Sequence, residues 1–495
     1  MVNSNLALNY SIPENATKEV QIKDDPLKWC SVSLSDVIAR GSRLDASVYD
    51  TVAKQDRHNI ENGKYPYTQL YGNEYCPVTN AYYGSRMKRN YVPASNSKAI
   101  GFLGSSEMLD IYPKPVKFME DTDRVSDLHV SFGTILLSRS GTIGNLTFVS
   151  KTLSKYLVSE HAIRLTCAEY PGYVYTFLKT KSGQALLHSN IFGAVIQEIE
   201  PEHLKNIPIP SAPENLKDEI NSLIVRSFEL RDESNDLLDK ANGLLIKELE
   251  LPLIEEFQQH AVYYQKNAPV DTFSVKLSNL DGRLDGSYHV PVVDAIVDHL
   301  KQHAAEVTTV GDSRISDRVV LPIRFKRIYV EEGYGRVLIG GKQIYELDPS
   351  NKKYISIAKH KDLIPDLEIH ENTVLITRSG TIGKVAIAPR HWEKWVPSDH
   401  IIRVFPANDD IAGYLYVYLL SDYGHELITR YTYGSVVDEI DDNHVSRIAF
   451  PILKNQDVQN EINSLALEAN EKRYQAYKLE QEALKKMDEE VIYAK

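Results

Sequence analysis

Leu223, Leu230, Leu237 and Leu244 recur every seven residues, with Ile220 and Ala241 at companion positions and Asp and Glu on the remaining faces. That period predicts an amphipathic helix whose seam wants another helix. Running from Glu214 to Glu250, where Pro252 soon interrupts it, the helix would be about 55 Å long at about 1.5 Å per residue. A second helix is predicted from about Asp457 to Glu490. Its positions answering the four leucines are Leu465, Lys472, Leu479 and Lys486, and Tyr474, Tyr477, Leu484 and Met487 form an alternative stripe. Elsewhere the apolar runs are shorter. Thr134 to Ser138 reads as a buried strand, Gly141-Thr-Ile-Gly as a turn and Asn145 to Val149 as the returning strand of a hairpin. Tyr173 to Leu187 and Val293 to His303 have helical periodicity, and a helix start near Ser31 has Ser35 as a candidate cap. Residues 50–127 look irregular and loop-rich, and Ile207-Pro-Ile-Pro reads as the end of a globular unit.

The hairpin occurs twice. Residues 138–144, Ser-Arg-Ser-Gly-Thr-Ile-Gly, return as 377–383 with Thr377 for Ser138, and Ser159-Glu-His-Ala-Ile-Arg-Leu returns as Ser398-Asp-His-Ile-Ile-Arg-Val. Ser42-Arg-Leu-Asp-Ala-Ser answers Gly282-Arg-Leu-Asp-Gly-Ser. Gly172-Tyr-Val-Tyr answers Gly413-Tyr-Leu-Tyr, Phe192-Gly-Ala-Val-Ile-Gln-Glu-Ile answers Tyr433-Gly-Ser-Val-Val-Asp-Glu-Ile, and Glu219-Ile-Asn-Ser-Leu answers Glu461-Ile-Asn-Ser-Leu. A period this long, well above the roughly 20–50 residues of solenoid repeats, predicts two duplicated domains. The boundaries read as a tail at 1–30, a first domain at 31–212, a first helix at 213–270, a second domain at 271–453 and a second helix at 454–495. Two copies of one module related by a pseudo-twofold would bring the long helices together antiparallel, a rod with a globular domain at each end. The other reading packs each helix on its own domain.

At 495 residues and 42% hydrophobic, the chain can build more than one core. Its net charge of −12 argues against a nucleic-acid partner, but the distribution changes that picture. Residues 211–260 hold twelve acidic and five basic residues and 455–495 hold nine and six, so the rest of the chain is nearly neutral and can carry basic patches. Three scattered cysteines, Cys30, Cys76 and Cys167, fit a reducing cytoplasm and no metal spacing. No apolar run suits a membrane span, and the N-terminus has no secretion signal.

Catalytic signatures are missing. Gly380-Thr-Ile-Gly-Lys-Val lacks the spacing and the hydroxyl residue of a phosphate-binding loop, and no dinucleotide or methyl-donor fingerprint, adenine-methyltransferase tetrapeptide or nuclease cluster is seen. Glu160-His161 and Asp399-His400 supply too few ligands for a metal and read as structural strand-end histidines hydrogen-bonded to backbone. Arg139-Ser140 and Arg378-Ser379 either touch phosphate or brace the hairpin. The expected contact surfaces are the tyrosine and basic clusters, Tyr82, Tyr83, Arg86, Lys88 and Arg89 in the first copy and Arg324, Lys326, Arg327, Arg336 and Lys342 in the second.

The repeated Ser-Gly-Thr-Ile-Gly hairpin, Ser-x-His-x-Ile-Arg strand, Gly-Ser-Val-Val segment, Ile-Pro-x-Pro closure and following long helix resemble the DNA-specificity subunits of type I restriction–modification systems, over nearly the whole chain from about Ser31. The resemblance implies an α+β fold of two tandem target-recognition domains, each followed by a long helix, with the helices paired as an antiparallel coiled coil that rules off an unread spacer. It implies double-stranded DNA as ligand, read by the basic clusters together with Arg139 and Arg378. It also implies partner methyltransferase subunits and a motor-nuclease subunit, with S-adenosylmethionine, ATP and magnesium on those partners and no cofactor or catalysis here. The dissimilar stretches 50–127 and 300–370 would read the two half-sites. Asp438 and Gln197 stand where that family often has Pro or Gln. Other readings stay open: a non-DNA scaffold, a DNA-mimicking inhibitor, the specificity subunit of a related system with fused methyltransferase and nuclease, and, against the missing motifs, a self-contained nuclease or methyltransferase.

Overall fold

The computed structural model describes residues 31–39, 42, 44, 46–192, 197–261, 273–434 and 436–494. The expected tail at 1–30, the first Gly-Ala-Val-Ile segment at 193–196 and the end of the expected first helix region lie outside them. Two sets of three sheets share one strand order. In the first set Val78–Tyr82, Ala162–Cys167, Ile135–Ser138 and Leu146–Phe148 form an antiparallel sheet; in the second, Ser316–Val320, Ile401–Pro406, Val374–Thr377 and Val385–Ile387 do the same. Beside each lies a smaller sheet, Tyr91–Val92, Lys117–Glu120, Ala99–Leu103 and Leu157–Val158, answered by Tyr329–Val330, Lys353–Ser356, Gly335–Ile339 and Val396–Pro397.

The hairpin strands are buried on both faces, and their alternation assigns each residue a neighbour. Ile135 and Leu137 pack with the helices of the first unit, whereas Leu136 packs with Leu103 and Val158 of the smaller sheet. The second unit divides Val374 and Ile376 from Leu375 in the same way.

Several expectations need correction. Residues 50–127 are more ordered than expected, since between their loops they hold the helix Thr51–Glu61 and five short strands, and 300–370 has the matching strands. The Tyr173–Leu187 periodicity belongs to two helices, Pro171–Lys179 and Lys181–His188, because the Thr180 hydroxyl caps a new start by accepting from Gly183 N at 3.0 Å. Ser35 falls inside the short helix Leu34–Ala39 and does not cap it. Pro208–Pro210 is a strand paired with Tyr67–Gln69, as Ala449–Ile452 is with Glu306–Thr309; a two-stranded edge tolerates a proline that lacks its N–H.

The long helices are Glu214–Glu248 and Gln456–Lys486. Glu219 meets Lys486 at 2.9 Å, Glu233 meets Lys472 at 2.7 Å and Lys240 meets Glu461 at 2.8 Å, so one helix rises in number as the other falls. Their buried stripes are small: Ile220, Ser227, Ser234 and Ala241 on one, and Ile462, Ala469, Ala476 and Ala483 on the other. The Ser227 hydroxyl donates to the Ala476 carbonyl at 2.7 Å, a reach that needs closely approaching backbones. The seam is therefore not the leucine heptad. Leu230 is buried beside Ala476 and Leu347, while Leu223, Leu237 and Leu244 are only half-buried and turn toward the globular units; Leu465 joins the core of the second unit, and Leu479 is half-buried beside Leu230.

Nor is the assembly a bare rod. The first unit's core takes in Leu216 to Phe228 of the first helix and Ala483 and Met487 at the end of the second; the second unit's core takes in Leu238 to Leu249 and Ile462 to Ala469. Glu480 is fully buried among Lys179 at 2.6 Å, Arg231 at 2.5 Å and the Tyr175 hydroxyl at 2.6 Å. Burial alone would raise its carboxyl, but Lys179 and Arg231 bring it down to about 2. Over the middle of the helix pair the equivalent loops 104–116 and 340–352 meet, with Ile111 N donating to the Tyr345 carbonyl at 2.8 Å. Tyr112 anchors one loop to Asp239 and Asp348 anchors the other to Gln481. Among the described residues no helix is long and apolar enough to cross a membrane.

Two predictions follow from this packing. Ala476→Leu must push the helices apart and should cost about 1–3 kcal/mol in denaturant unfolding, and an unchanged midpoint would show that the stripe is not tightly packed. Where the loops meet, burial pushes Asp110 and Glu346 up to about 7 each, against the opposing pull of Lys384 and Lys179 respectively. Acids raised in this way stay protonated in the folded chain after the unfolded chain has ionised, so stability falls as pH rises from about 4 to about 7. The double variant Asp110→Asn, Glu346→Gln should flatten that part of a melting-temperature profile; an unaltered slope would assign it elsewhere.

Candidate nucleic-acid interface

The sequence motifs kept in both copies meet one another in space. Gly172 N donates to Asn221 Oδ1 at 2.8 Å and Gly413 N to Asn463 Oδ1 at 2.7 Å, joining each Gly-Tyr-x-Tyr helix to the following long helix. A Cβ at either glycine would lie 2.8 Å from Asn221 O or 2.3 Å from Asn463 O, so no larger residue fits that approach. Tyr173 and Tyr414 donate to Pro210 O and Pro451 O, holding the two proline strands to the same helices. This frame fixes where each hairpin turn projects.

At the turn, Arg139 is 6% exposed. Its guanidinium donates to Glu198 at 2.9 Å and to Glu200 at 3.1 Å, and the Tyr83 ring lies 4.3 Å away. Arg378 repeats the arrangement with Glu439 at 2.5 Å and the Ile440 carbonyl at 3.1 Å. Both guanidinium groups are thus engaged inside the protein, and Arg139 N and Arg378 N donate to the carbonyls of His161 and His400. Ser140 Oγ lies 3.0 Å from His161 Nδ1, and Ser379 Oγ lies 2.6 Å from His400 Nδ1, so these histidines face a seryl side chain, not the backbone partner expected of a strand end.

The basic segments before the smaller sheet reach the same place. Arg89 forks onto Glu160 at 2.8 and 2.9 Å and lies 4.9 Å from the Phe102 ring; burial works against the Glu160 carboxylate, but a backbone N–H and Arg89 hold it below the usual carboxylate range. In the second copy Arg327 and Arg324 share Asp399, the latter at 3.0 Å, and Arg324 also approaches Glu439 at 3.6 Å. Tyr82, Tyr83, Arg86 and Lys88 are exposed in the first unit, as are Arg324, Lys326 and Lys342 in the second. Arg336 is drawn aside to Glu368 at 3.1 Å. The structure therefore gathers Tyr83, Arg89 and Arg139 around one turn and Arg324, Arg327 and Arg378 around the other.

Sequence reading missed the carboxylates Glu198 and Glu439, although both stand at one position of the repeat and that retention was the available signal. It also missed the arginine in each Ile-Arg strand. Arg164 and Arg403 are 0% and 1% exposed and donate to backbone carbonyls, of Ser159 and Ala162 for one and Asp366 and Glu368 for the other; burial brings Arg403 down to about 10. They bind main chain, which fits a structural part. Among the described residues no group of three or more His, Cys, Asp or Glu could hold a metal ion.

Residues 339–478 match the type I restriction modification DNA specificity domain. No curated protein matches the chain. Among solved structures it is similar to the type I restriction–modification system S subunit from M. genitalium, at 14% identity over 86% of this chain and 95% of that one with a TM-score of 0.29. It is also similar to the HsdS subunit from Thermoanaerobacter tengcongensis, at 13% identity over 81% and 93% with a TM-score of 0.25. With that domain matched in its second half and the same strand order repeated in its first, the chain resembles the DNA-specificity subunits of type I restriction–modification systems.

Proposed function

We propose that this chain is the DNA-binding specificity subunit of a type I restriction–modification complex. It reads a bipartite duplex target, one half with each unit, and directs methyltransferase and restriction subunits that carry the cofactors and the chemistry. The observation that carries the reading is the repetition of one two-sheet unit on the two ends of an antiparallel helix pair, with the specificity-domain match lying in one of the repeats. Exposed Arg86, Lys88, Arg324 and Lys326 position the duplex through its phosphates, and donors in the dissimilar segments read base edges. Two readers joined by a stiff spacer each raise the other's effective concentration, so spacing becomes as selective as sequence.

The test is to lengthen both helices together. Matched insertions of two turns, about 10 Å, keep the small-residue stripes in phase and should lengthen the preferred spacer by about three base pairs, read from the sites bound by the assembled complex. An unchanged spacer would remove the helices as a ruler.

A further inference from the structure

The two hairpin turns belong to the surface that duplication has left alike. Gly141 and Gly380 both have a φ of 79°, and a Cβ at either would meet nothing within 4 Å, so the tips stand in open space. The backbone angle accounts for these glycines, and Ile143 is kept by its burial. Neither reason covers Thr142 and Thr381, which are exposed, or the half-buried Ser140–His161 pair and its counterpart, half-buried Ser379 with exposed His400. The rest of each pair's setting is repeated as well, with His161 N donating to Ser159 Oγ at 3.1 Å and His400 N to Ser398 Oγ at 3.4 Å. The neighbouring basic run is repeated too, Arg86-Met-Lys-Arg answering Arg324-Phe-Lys-Arg, so cations stand beside the turn in both units.

Under the proposed function the two units read different half-sites. A side chain presented identically by both units cannot distinguish those half-sites, so its contact must be with what every duplex shares. We propose that each Ser–His pair is a phosphate contact: the seryl hydroxyl donates to Nδ1, and the imidazole offers its Nε2–H to a backbone phosphate at the same place in each half-site. Holding the proton on Nε2 is the seryl group's part, because a ring nitrogen that accepts leaves the other as donor. In the first copy Glu160 Oε1 lies 3.8 Å from Nε2, with its charge engaged by Arg89; in the second, Asp399 is taken up by Arg324 and Arg327. Arg324 beside His400 adds the cation that brings a phosphate to this spot, whereas the histidine supplies direction without net charge.

This inference rests on the DNA-specificity reading, and one experiment separates the two. The chain assembled with its methyltransferase subunits is titrated with a cognate and a random duplex over a range of salt. His161→Asn with His400→Asn keeps a group able to face the serine but removes the outward donor. Affinity for both duplexes should fall by the same factor, about tenfold per lost hydrogen bond to a charged group, with the salt slope unchanged because no cation is lost. His161→Gln with His400→Gln, whose amide reaches the Nε2 position, should restore most of it. Loss confined to the cognate duplex, or no loss at all, overturns the phosphate contact. So does unaltered DNA binding with failure of the methyltransferase to co-purify, which would make the turns a protein-docking surface. If the wild-type complex binds no duplex, the specificity reading itself falls, and this inference with it.

Discussion

Close approach of the two long helices is the constraint on which the rest depends. Ser227, Ser234 and Ala241 against Ala469, Ala476 and Ala483 leave so little side chain between the axes that a seryl hydroxyl reaches the opposite main chain. Because that stripe is thin, the larger leucines beside it are free to enter the globular units, and each end of the pair becomes part of one core. The second helix then cannot leave without exposing Glu480 in the first unit, a carboxylate buried with two cations and a tyrosine. Breaking such a buried group by removing one partner is far costlier than losing a surface ion pair. The loops at 104–116 and 340–352 close the middle.

Much of this frame was legible in the chain. The hairpin follows from glycines at positive φ between fully apolar runs, and the duplication from motifs whose partners prove to be one another, such as Gly172 with Asn221 and Gly413 with Asn463. The seam was not legible, because a heptad of leucines has the same period whether it faces a helix or a domain, and small residues at the adjoining positions carry no hydropathy signal. Strands of two to five residues at 67–120 and 306–356 were equally hidden. Their pairing comes from partners far along the chain, as where Ala99–Leu103 runs parallel to Leu157–Val158, and so short a run shows no alternation of its own. At the turns, the charge pattern pointed to the right neighbourhood but not to the internal pairing of Arg139 with Glu198 and Glu200, which depends on a segment some sixty residues away.

The physical division between scaffold and reader follows the same line. Residues that touch the frame, including the buried Arg164 and Arg403, repeat between the units, and so does the basic run Arg86-Met-Lys-Arg and Arg324-Phe-Lys-Arg, while other parts of 50–127 and 300–370 share strand order but differ in sequence. Under the proposed function, the repeated cations would hold phosphate in both units and the differing side chains would read two different half-sites. The acidic character of the long helices is partly spent on Glu219, Glu233 and Glu461 pairing across the seam, and under the proposed function the remainder would repel phosphate from the helix pair.

The central claim is that this chain chooses the DNA target, and the most direct measurement is sequencing of methylated adenines in the host's DNA with the chain present, deleted, or carrying an exchanged 50–127 segment. The account predicts a bipartite methylated motif that disappears on deletion and changes in one half only on exchange. A methylation pattern indifferent to both would contradict it and leave the paired helices as the scaffold of some other assembly.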